Sequence, residues 1–349
     1  DFTFAEKEKV EVFTDMNEAL ARSCKMVVNP VYTTVDQIQV TSNGSIIFGD
    51  EKKITERGME SFFKVLGIPP IFSRKIPTDL LLHNVAKLIK DNPALPIFVL
   101  EKPDGSISSI VKEPYSEIPY ADILSRFSER PVKSIEMSES LLKVIFTFDM
   151  LKVPELDDNQ DTLYVGEFLT ASLNKLTSLQ ATSGLYRTQC ENSFIMPILG
   201  KLKANYLKKE DVRLNRFADA FECYNQDMVA TVFRNFKEKK EAQLKEHQVK
   251  KIWEVTSKIL SKSDADILFS FDEDLRNLML SNARSYLYEA KQAEKLGLAI
   301  PTPTNTPFTC YNISNAITSI AHNRTYDAID QLKAEVLGGN ILQWMLFLN

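Results

Sequence analysis

DTLYVGEFLTASLNKLTSLQATSGLYRTQCENSFIMP, running from Asp161 to Pro197, reads as two strands. Leu163, Val165 and Phe168 belong to the first; Leu176, Leu179 and the run Leu185 to Cys190 belong to the second. Small, turn-prone residues lie between them, with Ser183-Gly184 as the expected bend. At the far end, Arg187 and Gln189 alternate with Thr188 and Cys190, so one pair can face a core while the other faces out. Beyond this point alternation gives way to long, Lys-rich helical periodicity. The stretch is a seam between two halves. It predicts an α+β fold: a mixed or antiparallel, β-rich N-terminal part with short helices, and a helical C-terminal part. The corresponding domains are an α+β domain over 1–199 and a mainly helical domain over 200–349.

Upstream of the seam, Asp15-x-x-Glu18 has the form of a capping box opening a helix through Ala19-Leu20-Ala21. Asn43-Gly44, between Ile38-Gln39-Val40 and Ile46-Ile47-Phe48, predicts a hairpin, because both turn residues tolerate positive φ. Ile54-Thr55 opens a helix carrying Met59, Phe62, Phe63 and Leu66, stopped by Gly67 and Pro69-Pro70. Thr78 is positioned to cap a second helix through Leu80, Leu81, Val85 and Leu88, ended by Asn92-Pro93. Leu95 to Leu100 and Ser106 to Val111 flank Lys102-Pro103-Asp104-Gly105, which has the chemistry of a hairpin turn. Ile123, Leu124 and Phe127 predict a short helix. Leu141 to Phe148 is apolar almost throughout, so both faces of that strand should be covered. Pro154 to Asp161 is an acidic connection whose plain reading is a solvated loop and whose sharper reading is a divalent-metal site.

Downstream, the charge distribution is uneven. Residues 201–260 carry 14 Lys and Arg against 9 Asp and Glu, a net of +5, while the whole chain is −5 and the remainder therefore −10. Within that segment Lys201, Lys203, Tyr206, Lys208, Lys209, Arg213 and Arg216 interleave cations with an aromatic ring. Cations neutralise phosphates and aromatic faces stack on unpaired bases, so single-stranded nucleic acid is a physically sensible ligand; a solvated helix face is the alternative. Phe233, Phe236 and Trp253 fall at core spacing. A helix carrying Leu275, Leu278 and Met279, a stiff linker with Pro301, Pro303 and Pro307, and two last helices at Ile313–Ile320 and Ala328–Leu337 follow. Gly338-Gly339 is the expected stop, leaving an apolar tail from Ile341 to Asn349 that either folds back or contacts another subunit.

Hydrophobic residues at 44% and charged residues at 26% are ordinary for a globular chain, and 349 residues suffice for a large core. Cys24, Cys190, Cys223 and Cys310 show no metal-ligand spacing and read as reduced thiols of a cytosol-like compartment. The longest apolar run, Ile341 to Leu348, is far short of the roughly 20 residues a membrane helix needs. The chain begins at Asp1, consistent with a trimmed, processed or partial product. Phosphate-loop, dinucleotide, zinc-protease and nucleophile-elbow patterns are absent, so no catalytic residue, metal or cofactor is nominated. His83, His247 and His322 are far apart; His83, among leucines, reads as a packed helix residue. Asp264, Asp266, Asp272, Glu273 and Asp274 could suggest a two-metal nuclease but read better as capping acids at helix starts.

Gly166-Glu167-Phe168, Tyr186-Arg187-Thr188-Gln189-Cys190-Glu191-Asn192 and the block Asn312 to Arg324, followed by Gly338-Gly339, resemble the signatures of the phage/plasmid-like protein family. Leu66-Gly67-Ile68-Pro69, Asp104-Gly105 and Tyr115 resemble its N-terminal elements. Ser193 departs from the pattern, where that family tends to have glycine. The resemblance implies mobile-element biology and a domain of unknown function. It marks Arg187, Cys190 and Asn192, read as core tethers in preference to a binding site, and Asn315, Thr318, His322 and Arg324 as structural motif residues; Arg187 also stands with Lys201 to Arg216 as a nucleic-acid-binding candidate. The functional expectation is a phage or mobile-element DNA-metabolism protein that binds single-stranded nucleic acid, as an oligomer, in the host cytoplasm. A structural or assembly protein of the phage particle, with other phage proteins as partners, is the alternative; an anti-defence or regulatory binder is a third. No membrane association is expected.

Overall fold

The computed structural model describes residues 9–41, 45–49, 52–69, 73, 76–112, 118–152, 163–187, 193–195, 201–203, 243–261, 264–265, 268, 309–323 and 326–347. The fold is α+β, with strands concentrated in the N-terminal half and helices at the C-terminus. The chain divides into two compact units that interleave along the sequence. One comprises 1–144, 169–180 and 203–219; the other comprises 145–168, 181–202 and 220–349. This division follows packing and is distinct from the sequential boundary after residue 199 that composition suggests.

The first unit begins with β1 (Glu11–Phe13) and α1 (Met16–Ser23). Asp15 caps α1 as its sequence predicts, its Oδ1 accepting from the N–H groups of Asn17 and Glu18 at 2.9 Å. Arg22 closes the helix back onto β1: its guanidinium donates to both Glu11 carboxylate oxygens, at 2.6–2.9 Å. Next come β2 (Asn29–Thr34), β3 (Ile38–Val40), β4 (Ile46–Phe48) and β5 (Lys52–Lys53). The Asn43-Gly44 turn lies outside the described residues, but its flanks pair in the antiparallel register it predicts, Val40 opposite Ile46 and Ile38 opposite Phe48.

Two helices follow, α2 (Glu56–Val65) and α3 (Thr78–Asp91), then the hairpin β6 (Pro96–Glu101) and β7 (Ile107–Val111). Thr55 caps α2 through Gly58 N–H at 2.9 Å. Gly67, at φ +78°, ends it: Ile68 N–H reaches Phe63 O at 2.7 Å and Gly67 N–H reaches Lys64 O at 3.1 Å. That is the paired bonding of a Schellman stop, with Ile68 and Phe63 both in the core. Thr78, by contrast, is the first residue of α3 rather than its cap; Pro77 holds the cap position and supplies no side-chain bond. A proline there forfeits only an N–H that the helix would not have used. His83 is exposed on this helix, not packed.

Sheets β2-β6-β7 and β3-β4-β5 share one apolar core with α2 and α3, containing Ile38, Phe48, Ile54, Phe62, Leu81, Val85, Ile97 and Ile107. The seam between α2 and β7 is close. Thr55 N–H donates to Ile107 O at 2.9 Å, and Ile110 N–H donates to Ser61 Oγ at 2.8 Å, so small polar residues of the helix satisfy the strand's edge. At the opposite edge, Val35 N–H donates to Leu95 O at 3.0 Å in register with the β2–β6 pairing. Asn29, Val31 and Thr33 therefore occupy the hydrogen-bonded pairs, and Pro30, Tyr32 and Thr34 turn their backbone groups outward. Pro30 thus costs the ladder no bond and blunts the outer edge.

The third sheet runs β1-β8-β9-β10-β11-β12, with β13 also on β11. Its further strands are β8 (Val132–Met137), β9 (Leu142–Lys152), β10 (Leu163–Ala171), β11 (Gln180–Arg187), β12 (Ser193–Ile195) and β13 (Lys201–Lys203). The short helix α4 (Tyr120–Arg126) precedes β8 and packs on α1. Leu141 to Phe146 are buried on both faces as their composition predicts, Lys143 included; its Nζ lies 3.1 Å from Glu136 Oε1.

Two expectations are corrected in this sheet. Ser183-Gly184 is not a bend but lies inside β11, where Gly184 pairs with Ile195. The reversal is at Ser172–Leu179, built by buried side chains: Ser172 Oγ donates to Thr177 O and accepts Thr177 N–H, both at 2.8 Å, and Asn174 donates to Ser140 Oγ at 2.7 Å. Lys175 takes the left-handed φ of 60°. Side-chain bonding here replaces the glycine that a turn ordinarily uses. The second correction concerns Lys201–Lys203, which form β13 instead of opening a helix; pairing with β11 overrides their helical propensity.

Candidate functional site

In the second unit, α5 (Glu246–Thr256) is followed by α6 (Cys310–Asn323) and α7 (Ala328–Phe347). The last two pack on each other, and α7 also packs on β12. α7 runs unbroken through Gly338-Gly339, overturning the expected stop. Both glycines are buried, as are Leu337, Ile341 and Leu342. Burial on both sides of the pair outweighs the roughly 1 kcal/mol that each helical glycine costs relative to alanine. The start of the apolar tail is therefore folded into its own unit.

α6 buries a polar face. Asn312, Ser314, Asn315 and Thr318 have no solvent exposure and Ser319 has 5%. Thr309, just ahead of the helix, accepts Asn312 N–H at its Oγ1 (3.1 Å), and Thr318 Oγ1 donates back to the carbonyls of Ser314 and Asn315, each at 3.1 Å. At the end of this face His322 Nε2 lies 3.0 Å from Oε1 of Glu335, a wholly buried carboxylate on α7.

A second polar tie joins the α6–α7 connection to the segment after α5. Tyr326 Oη donates to Asp264 Oδ2 and accepts Ser261 N–H, both at 2.7 Å. Burial pushes the phenol above its ordinary value, and the Asp264 carboxylate acts in the same sense. Asp264 thus serves as a hydrogen-bond acceptor for a tyrosine, beyond the helix-start role its position suggests. Cys310, buried at the start of α6, is pushed up to about 12 by desolvation and is an inert thiol at neutral pH.

Of the motif residues, Asn315, Thr318 and His322 all lie on α6. Arg187 is the last residue of β11, and Lys201 and Lys203 bound β13, the strand paired with it. Cys190, Asn192, Arg324, Tyr206, Lys208, Lys209, Arg213 and Arg216 lie outside the described residues, as do the acidic run before Asp161 and the helix around Leu278. Glu335 was not marked by the sequence motifs. Its signal is positional: Ala328, Leu332, Glu335, Gly339 and Leu342 recur at spacings of four and three, and all are buried. A carboxylate inside an apolar helical stripe needs a polar partner.

Among the described residues, no group of three or more His, Cys, Asp or Glu side chains could hold a metal ion, and no helix is long and apolar enough to cross a membrane. No protein-family model, curated protein or solved structure matches this chain.

Proposed function

We propose that this protein binds single-stranded nucleic acid through its basic segment, as an oligomeric component of phage or mobile-element DNA metabolism. The observation that carries this reading is the charge distribution: +5 over residues 201–260 in a chain that is −5 overall. A protein evolved only for solubility has no need to segregate its charge in this way; a polyanion ligand requires it. Lys201 and Lys203 support the reading because their strand pairs with the strand ending in Arg187, drawing cations from two separate stretches into one sheet. The resemblance of the Arg187 and Asn315 motifs to the phage/plasmid-like family supplies the mobile-element setting.

The test is fluorescence anisotropy of a labelled oligo(dT) titrated with the full chain across a salt series. Five phosphate contacts give a log–log salt slope of about −3.5 for a single strand, or about a hundredfold loss of affinity between 50 and 200 mM salt. Replacing Lys201, Lys203 and Arg187 together by alanine should flatten the slope by about 2. Absence of binding at low salt, or binding without salt dependence, overturns the proposal. Salt-independent self-assembly in the same series would instead favour an assembly protein.

A further inference from the structure

We draw no further inference here: the strongest candidate, the outward-facing edge of strand β2 around the exposed Tyr32, carries none because nothing in the structure shows what covers it.

Discussion

Replacing Gly58 by alanine tests the tightness of the α2–β7 seam. A Cβ built on Gly58 would lie 2.7 Å from the backbone oxygen of Ile107, 2.8 Å from Ile54 Cγ2 and 3.1 Å from Thr55 Oγ1. A carbon normally approaches a carbonyl oxygen to no less than about 3.3 Å, so helix and strand must separate by roughly 0.6 Å. The contact partner is backbone and has no rotamer through which to yield. Separation stretches the Thr55 N–H to Ile107 O bond and the Ile110 N–H to Ser61 Oγ bond, now 2.9 and 2.8 Å, toward the limit of useful geometry. Overpacking costs about 1–3 kcal/mol and a weakened buried hydrogen bond about 1 kcal/mol. Against this, alanine recovers up to about 1 kcal/mol of helix propensity. The expected balance is a loss of about 1–3 kcal/mol in the local stability of the seam. Hydrogen exchange read by mass spectrometry on peptides covering Thr55 and Ile110 should then show protection falling by about 5- to 150-fold. Unchanged or increased protection would show that the helix recedes freely, and would refute the steric argument.

Three further outcomes follow from the second unit and the N-terminus. His322→Ala should destabilise the helix pair by about 1–3 kcal/mol by removing a partner from a buried carboxylate, and His322→Phe with Glu335→Leu should cost less than the sum of the two single changes. Urea unfolding followed by tryptophan fluorescence checks this directly, because both tryptophans, Trp253 and Trp344, belong to that unit. Deleting Ile341–Asn349 should destabilise the same transition by about 2–5 kcal/mol, since Ile341 and Leu342 are core residues; a truncated chain of unchanged midpoint would remove the tail from the core. At Glu11, the hydrogen bond from Arg22 holds the carboxyl below its usual range, so the pair stabilises above the ordinary carboxylate pKa and the contribution is lost as pH falls through the lowered one. With both side chains about a third exposed, the Arg22→Ala difference should stay below about 1 kcal/mol at neutral pH and shrink on acidification. Chemical denaturation by circular dichroism at several pH values measures it; a difference that grows in acid contradicts the assignment.

Where local chemistry dictated structure, the sequence could be read. Asp15, Thr55 and Gly67 act within a few residues of themselves, by capping or by left-handed φ, and the elements they delimit stand where their spacing puts them. Lys102 to Gly105 likewise turns the β6–β7 hairpin, with Gly105 at φ +82° and Asp104 accepting from Ser106. Legibility failed where the deciding contact was distant. β8 places only Ile135 and Met137 in the core, too few apolar positions to announce a strand among Lys133, Ser134 and Glu136. Lys201–Lys203 reads as helix until β11 is available to pair with it. Gly338-Gly339 reads as a stop until the flanking leucines and isoleucine are buried on their own unit.

The candidate site divides along the same line. Net charge is additive along the chain, so the basic segment is visible without any structure, whereas the pairing of β13 with β11 is a tertiary property. The α6–α7 pair shows why the distinction matters. His322 alone is an ordinary polar residue near a helix end, and Glu335 alone is an anomaly in an apolar stripe. Facing each other at 3.0 Å, they specify how two helices align. Displacing α7 by one turn, about 5.4 Å, would carry the carboxylate away from the imidazole and break the pair. Apolar packing between helices tolerates such slips far better than a buried polar pair does. The polar pair therefore fixes the register of a surface that hydrophobic burial holds together, and a sequence reading that finds only one member cannot recover it.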